Sequence, residues 1–189
     1  MATELKGLRV AFLTSNEGVE QVELNASWDA VKEAGGTPEL IAPERGQVQA
    51  FNYLDKADTF PVHRTIRDVD HTEYDALVVP GGVANSDFLR MVPAAVTFVR
   101  RVFEAGKPAA VICHGPWVLV EADLVRGRTL TSWPTMRTDI RNAGGNWADT
   151  EVQVCTSGPN TLVTSRKPDD LPAFCGSFLK VFSRQGQPA

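Results

Sequence analysis

Cysteine and histidine are scarce in this chain. The three cysteines, Cys113, Cys155 and Cys175, are odd in number and widely spaced. That spacing argues against a disulfide framework and fits a reducing compartment. No CxxC pair or His/Cys cluster marks a structural zinc site. The histidines are His63, His71 and His114, and none follows position 114. Long apolar runs are missing too, since nothing approaches the ~18 apolar residues of a membrane span. The stretch MATELKGLRVAFLT carries Glu4 and Lys6 ahead of only a short apolar run, unlike a secretory signal. A cytoplasmic location is therefore expected. Repeats and low-complexity linkers are absent from the sequence, and so is any basic stripe. The Arg100-Arg101 pair is too short to count and reads as a solvated helix face. With a net charge of −4, the chain has no electrostatic reason to bind nucleic acid.

What is present suits one folded unit. The 189 residues, 43% hydrophobic and 22% charged, can bury a core without staples, and residues 1–189 are read as a single domain. Short apolar runs alternate with amphipathic segments. Leu8 to Thr14, Glu39 to Ala42, Asp75 to Val79 and Pro108 to Ile112 read as buried strands. Val19 to Ala34 reads as a helix with Val22, Ala26 and Val31 near helical spacing, closed by Gly35-Gly36. Val92, Val96, Val99 and Phe103 mark a second helix. Leu171, Phe174, Phe178 and Phe182 mark a last one over Asp169 to Phe182. Gln47 to Val62 reads as an irregular or hairpin insertion, Val152 to Cys155 and Thr161 to Thr164 as strands, and the tail RQGQPA as frayed. The pattern predicts an α/β fold with a doubly wound, mostly parallel sheet between helices.

In such sheets, sites form beyond the carboxyl ends of the strands, which selects Asn16 to Glu23, Gly81 to Asp87 and Cys113 to Trp117. In AAVICHGPW the apolar run stops at Cys113-His114-Gly115-Pro116. Gly115 can supply a sharp turn, and Pro116 suits the first turn of a helix. Cys113 is thus placed where a helix N-terminus favours a thiolate, the nucleophilic form of cysteine. The Gly82 and His114 amides could form an oxyanion hole. A glutamate beside the sulfur could shuttle a proton, and Glu17, Glu20 and Glu23 all qualify by position. Glu20 and Glu23, three apart, are expected on one helix face. Glutamine amidotransferases of this general fold take a histidine well downstream of the cysteine, and this chain has none. His114, next to Cys113, is expected to point elsewhere. His63 and His71 read as surface residues. Cys155 and Cys175 read as core, Cys175 the more firmly. Trp117 and Trp133 are either pocket or core.

LTSNEGVEQVEL, VVPGG, VICHGPW, LVRGRTLTSW and TSRKPDDLPAF, in that order, resemble the PfpI-like intracellular protease family. This is the branch of the Parkinson-linked deglycase superfamily that includes bacterial general stress proteins. The resemblance runs from about Leu8 to Phe182. It implies a flavodoxin-like sandwich, akin to class I glutamine amidotransferases, and a homodimer or higher homo-oligomer. It implies Cys113 as nucleophile followed by His114, Glu23 as the glutamate bonded to the cysteine, and the Gly82 and His114 backbones as oxyanion donors. It also implies Asp87 as the acid that, in some protease-like members, comes from a neighbouring subunit to orient the histidine.

Relatives of this kind are described as proteases, glyoxalases, deglycases and oxidative stress sensors. Three expectations follow. In the first, Cys113 attacks small aldehydes or glycated protein and amino-acid adducts, with no cofactor and no metal. In the second, Cys113 is a redox sensor or part of a chaperone, with little turnover. The third is an oligomeric cysteine peptidase, ranked lower because peptide cleavage needs a well-placed general acid.

Overall fold

A computed structural model describes residues 5–186. The chain runs through β1 (Arg9–Leu13), β2 (Glu17–Glu20), α1 (Gln21–Glu33) and β3 (Thr37–Ala42). A hairpin of β4 (Gln47–Asn52) and β5 (Asp55–Pro61) follows, then β6 (Arg64–Thr65), β7 (Ala76–Val79), α2 (Val83–Arg90) and α3 (Pro93–Glu104). Next come β8 (Ala109–Ile112), α4 (Pro116–Glu121), β9 (Thr129–Leu130), α5 (Arg137–Asn142) and β10 (Asn146–Trp147). The described chain closes with β11 (Val152–Cys155), β12 (Leu162–Ser165) and α6 (Leu171–Phe182). Seven strands form the central sheet in the order β11-β12-β8-β7-β1-β3-β6. All pairings are parallel except β11 with β12. This is the doubly wound α/β architecture that the sequence predicts.

Continuous apolar strands arise because both faces of the sheet are covered. Along β1, Ala11 and Leu13 face one core while Val10 and Phe12 face the other. The same period of two divides Leu77 and Val79 from Ala76 and Val78, and Ala109 and Val111 from Ala110 and Ile112. α3 seals the first face with Val99, Val102 and Phe103, and α6 seals the second with Phe174, Phe178 and Phe182. Among the described residues, no helix is long and apolar enough to cross a membrane.

Four expectations need correction. The first helix begins at Gln21, because Glu17–Glu20 pairs as β2 with β4 in a small three-stranded sheet completed by β5. The hairpin insertion supplies that partner, and nothing local in NEGVE announces it. The buried face of α1 is Glu23, Leu24, Ser27 and Val31, whereas Val22 is exposed. The helix therefore turns polar residues inward. Cys155 is buried but Cys175 is only half-buried, the reverse of the expected order. In the tail, Ser183–Gly186 forms a 3₁₀ turn, so its first part is ordered, and residues 187–189 lie outside the described chain.

Phe178 has no exposed surface and packs edge-on to Phe174 at 5.2 Å between ring centres. Phe178→Ala is expected to destabilise the fold by about 3–5 kcal/mol, the usual cost of emptying a buried aromatic site, measured as a lower urea midpoint with an unchanged slope.

Candidate active site

Strands β8, β7 and β1 lie side by side, and their carboxyl ends deliver Cys113, Gly81-Gly82 and the loop into β2. Between β1 and β7 the chain order reverses, which is the position where doubly wound sheets open a crevice. A cavity of about 930 Å³ occupies it, lined among others by Glu23, Gly82, Cys113 and His114. Trp117 and Trp133 also line it while packing against the two cores from its wall.

The sharp turn belongs to Cys113 itself. Its φ is 61°, in the left-handed region that non-glycine residues rarely occupy and that costs on the order of 1–3 kcal/mol. Gly115, expected to bend the chain, is in ordinary helical conformation as the cap of α4. It is glycine for space, since a Cβ there would press on Val111 and the Ile112 carbonyl. Neighbours hold the Cys113 backbone on both sides. Its N–H donates to the Ser165 carbonyl at 3.0 Å, and its carbonyl accepts the Trp133 N–H at 2.9 Å. The strained turn also changes the place of His114. Its Nδ1 lies 3.3 Å from the Cys113 sulfur, so the ring does not point away as expected. Trp133 stacks on it at 5.8 Å and Trp117 packs at 5.2 Å.

Of the three glutamates, Glu23 reaches the sulfur. It has no exposed surface. Oε2 accepts the Gly81 N–H at 2.8 Å, and Oε1 has no fixed partner; the carboxyl interacts with the Cys113 thiol. A side chain at Gly81 would strike both Cys113 and Glu23, so glycine is what lets the three meet. Gly82 has φ 97°, and a Cβ there would run into the Gly18 carbonyl. The amides of Gly82 and His114 both approach the sulfur. Glu17 is exposed. Glu20 caps α1 rather than sharing its face, and its carboxylate accepts the Tyr53 N–H at 3.2 Å. Asp87 is exposed on the cavity wall and makes no hydrogen bond to His114 among the described residues. His63 and His71 do not line the cavity.

Burial decides the electrostatics. It pushes the Glu23 carboxyl up to about 8, against the pull of the Gly81 N–H. It pushes the Cys113 thiol well above its usual value, helped by the Glu23 charge and opposed by the Gly82 and His114 amides. It drives the His114 imidazole down to about 4, so the ring is neutral at pH 7. The expected low-pKa thiolate is thus corrected, because the sulfur is desolvated and faces the Glu23 carboxyl. Glu23 and Cys113 behave as one group. Charge on Glu23 disfavours a second charge on Cys113.

Asn85 escaped sequence reasoning. Fully buried, it donates to the Pro80 and Gly81 carbonyls at 3.1 Å each and accepts the Ser15 N–H at 2.7 Å. It thereby ties the loop after β7 to the loop after β1. A buried amide inside GGVANS was the available signal.

The geometry defines an α/β sandwich with a cysteine on a strained strand-to-helix turn, backed by a buried glutamate. Residues 8–181 match the DJ-1/PfpI family, and the chain belongs to it. A Pyrococcus horikoshii protein named as a deglycase is 40% identical over 175 residues, 92% of this chain and 99% of its own. General stress protein 18 of Bacillus subtilis is 38% identical over 82% of this chain and 87% of its own. Among solved structures, a two-domain Anabaena variabilis protein with DJ-1/ThiJ/PfpI-like and ferritin-like domains superposes with a TM-score of 0.85 at 30% identity. That match covers 96% of this chain and 50% of the other.

The titrations have opposite signs in stability. Glu23 holds its proton more tightly folded than unfolded, so its contribution is present below about 4.5 and is lost as pH rises toward 8. His114 holds its proton less tightly, so its contribution grows as pH rises from about 4 to 6.5. The two slopes oppose each other at mildly acidic pH, and above 6.5 only that of Glu23 is left. Urea unfolding is expected to show wild type losing stability between pH 6.5 and 8. Glu23→Gln should lose little over the same interval.

Proposed function

We propose that this chain is a stress-defence hydrolase of the deglycase or glyoxalase type, using Cys113 to attack reactive aldehydes or early glycation adducts. One observation carries the reading. Glu23 is a fully buried carboxyl with one oxygen fixed by Gly81 and the other without a fixed partner, beside a cysteine at the bottom of a cavity. A carboxyl that titrates near 8 is suited to moving a proton at neutral pH. The names of the Pyrococcus and Bacillus relatives support both the chemistry and the stress setting.

In the attack, the sulfur bonds to the carbonyl carbon and the carbonyl π pair moves onto oxygen. The Gly82 and His114 amides are the nearest donors for that oxygen. As the thiol gives its proton to the Glu23 carboxyl, the proton that the carboxyl already carries passes to the new alkoxide. The result is a hemithioacetal with no net change in protons. The thiol can stay protonated at rest, since deprotonation accompanies bond formation. On this reading Glu23, Cys113 and His114 are the catalytic residues, with Gly82 a backbone donor. A peptidase role for His114 and Asp87 has less support. The imidazole is held neutral by burial, and no acid of the described chain hydrogen-bonds to it.

Turnover of methylglyoxal adducts is expected to vanish in Cys113→Ser. In Glu23→Gln it should fall by about 100-fold or more, with circular dichroism unchanged. Intact-mass spectrometry after peroxide titration runs on the same preparations. Oxygen added at Cys113 with no Cys113-dependent turnover would replace the hydrolase by a redox sensor.

A further inference from the structure

Two tryptophans enclose the His114 imidazole, and they are held in different ways. Trp133 stacks on it at 5.8 Å, and the Trp133 backbone N–H is fixed by the Cys113 carbonyl. Trp117 packs against it at 5.2 Å with the rings inclined by 54°. This second ring belongs to α4, which spans six residues, and is held through its side chain. Its Nε1–H donates to Asp139 Oδ2 on α5 at 2.9 Å, and the Arg90 guanidinium of α2 lies 5.6 Å from the ring centre. Arg90 in turn is 3.6 Å from Glu121.

Asp139 stands in the first turn of α5, where an acid commonly serves the helix dipole. Among the described residues, though, the partner its carboxylate takes is the Trp117 indole and no amide of α5. An indole N–H seeks an acceptor when its ring packs inward, and the directionality of that bond fixes the ring's rotation as well as its place. Burial is what keeps His114 neutral, and Trp117 supplies part of that burial. The other charged groups nearby are Arg90 over the Trp117 ring and, on the same cavity wall, Glu20, Glu23 and Asp87. If Trp117 turned toward solvent, water would reach the imidazole and let it charge. An imidazolium 3.3 Å from the Cys113 sulfur would favour the thiolate and compete with Glu23 for the proton.

We propose that Asp139 is a positioning residue that, by holding the Trp117 indole against His114, keeps the imidazole enclosed beside the Cys113 sulfur. The proposal rests on the carbonyl chemistry above only for its effect on turnover, because the enclosure of His114 can be read on the resting protein.

The test follows the His114 ring by NMR in protein labelled at histidine, from pH 8 down to about 4.5, with the signal assigned by its loss in His114→Gln. In wild type the ring should stay neutral over most of this range. In Asp139→Ala its midpoint is expected to rise from about 4 to about 5 or above, toward the ordinary 6.5. The sign is diagnostic, because loss of a nearby carboxylate by itself lowers a histidine's affinity for protons. Asp139→Asn keeps an oxygen that accepts the indole N–H and should restore the wild-type curve. Trp117→Phe keeps a ring but no N–H and should raise the midpoint as Asp139→Ala does. Combining the two should add little, as expected of one shared interaction. A midpoint unchanged or lowered in Asp139→Ala, equal effects of alanine and asparagine, or additive effects of the Asp139 and Trp117 substitutions would overturn the proposal. Turnover of methylglyoxal adducts should fall about tenfold in Asp139→Ala and recover in Asp139→Asn. Cys113-dependent turnover indifferent to Asp139→Ala would overturn the positioning role. A shifted His114 titration with no Cys113-dependent turnover in wild type would overturn the hydrolase reading and leave the enclosure of His114 standing.

Discussion

The backbone of Cys113, held at φ 61°, is the constraint on which the site depends. A cysteine does not adopt this conformation unaided. Here the Ser165 carbonyl and the Trp133 N–H grip it from two sides, and β8 enters it rigidly between β7 and β12. The turn lifts the sulfur out of the strand line. It also brings the His114 amide toward the sulfur and swings the imidazole to 3.3 Å from it. An ordinary β or helical backbone at this residue would lose those placements together. The strain is stored in the fold and supported by the packed sheet, as is common at functional sites.

Glu23 faces that sulfur at a comparable cost. A carboxyl without exposed surface is disfavoured when charged, and its environment offers one amide donor and no cation. The outcome is an acid that keeps its proton through neutral pH beside a thiol that burial also keeps protonated. Two unfavourable groups placed together become a coupled pair that yields one charge. Glycines at 81 and 82 make the approach possible, because side chains there would occupy the space of Cys113, Glu23 and the Gly18 carbonyl.

Much of this was legible in the residues. LRVAFLT, DALVV and AAVI are strands because continuous apolar runs fit a sheet covered on both faces, and their carboxyl ends located the site. VVPGG and VICHGPW pointed to Gly82 and Cys113. What escaped has physical causes. β2 takes its structure from the β4–β5 hairpin, a partner about thirty residues away that local pattern cannot reveal. The inward face of α1 carries Glu23 and Ser27 where amphipathic spacing favours Val22, because the Gly81 N–H, delivered from β7 far along the chain, meets the Glu23 carboxyl there. Gly115 attracted the turn that Cys113 takes, since glycine is the default for positive φ. The thiolate expectation weighed a helix terminus and could not weigh desolvation, which needs the three-dimensional surroundings.

The most direct test of the coupled pair is the pH dependence of thiolate absorbance at Cys113, taken as wild type minus Cys113→Ser and repeated in a Glu23→Gln background. In wild type the thiolate is predicted to form only well above the ordinary thiol range, and at lower pH once Glu23 becomes glutamine and its charge is gone. Superimposable curves with and without the Glu23 carboxyl would contradict the account, because the cysteine would then ionise independently of the group on which the mechanism depends.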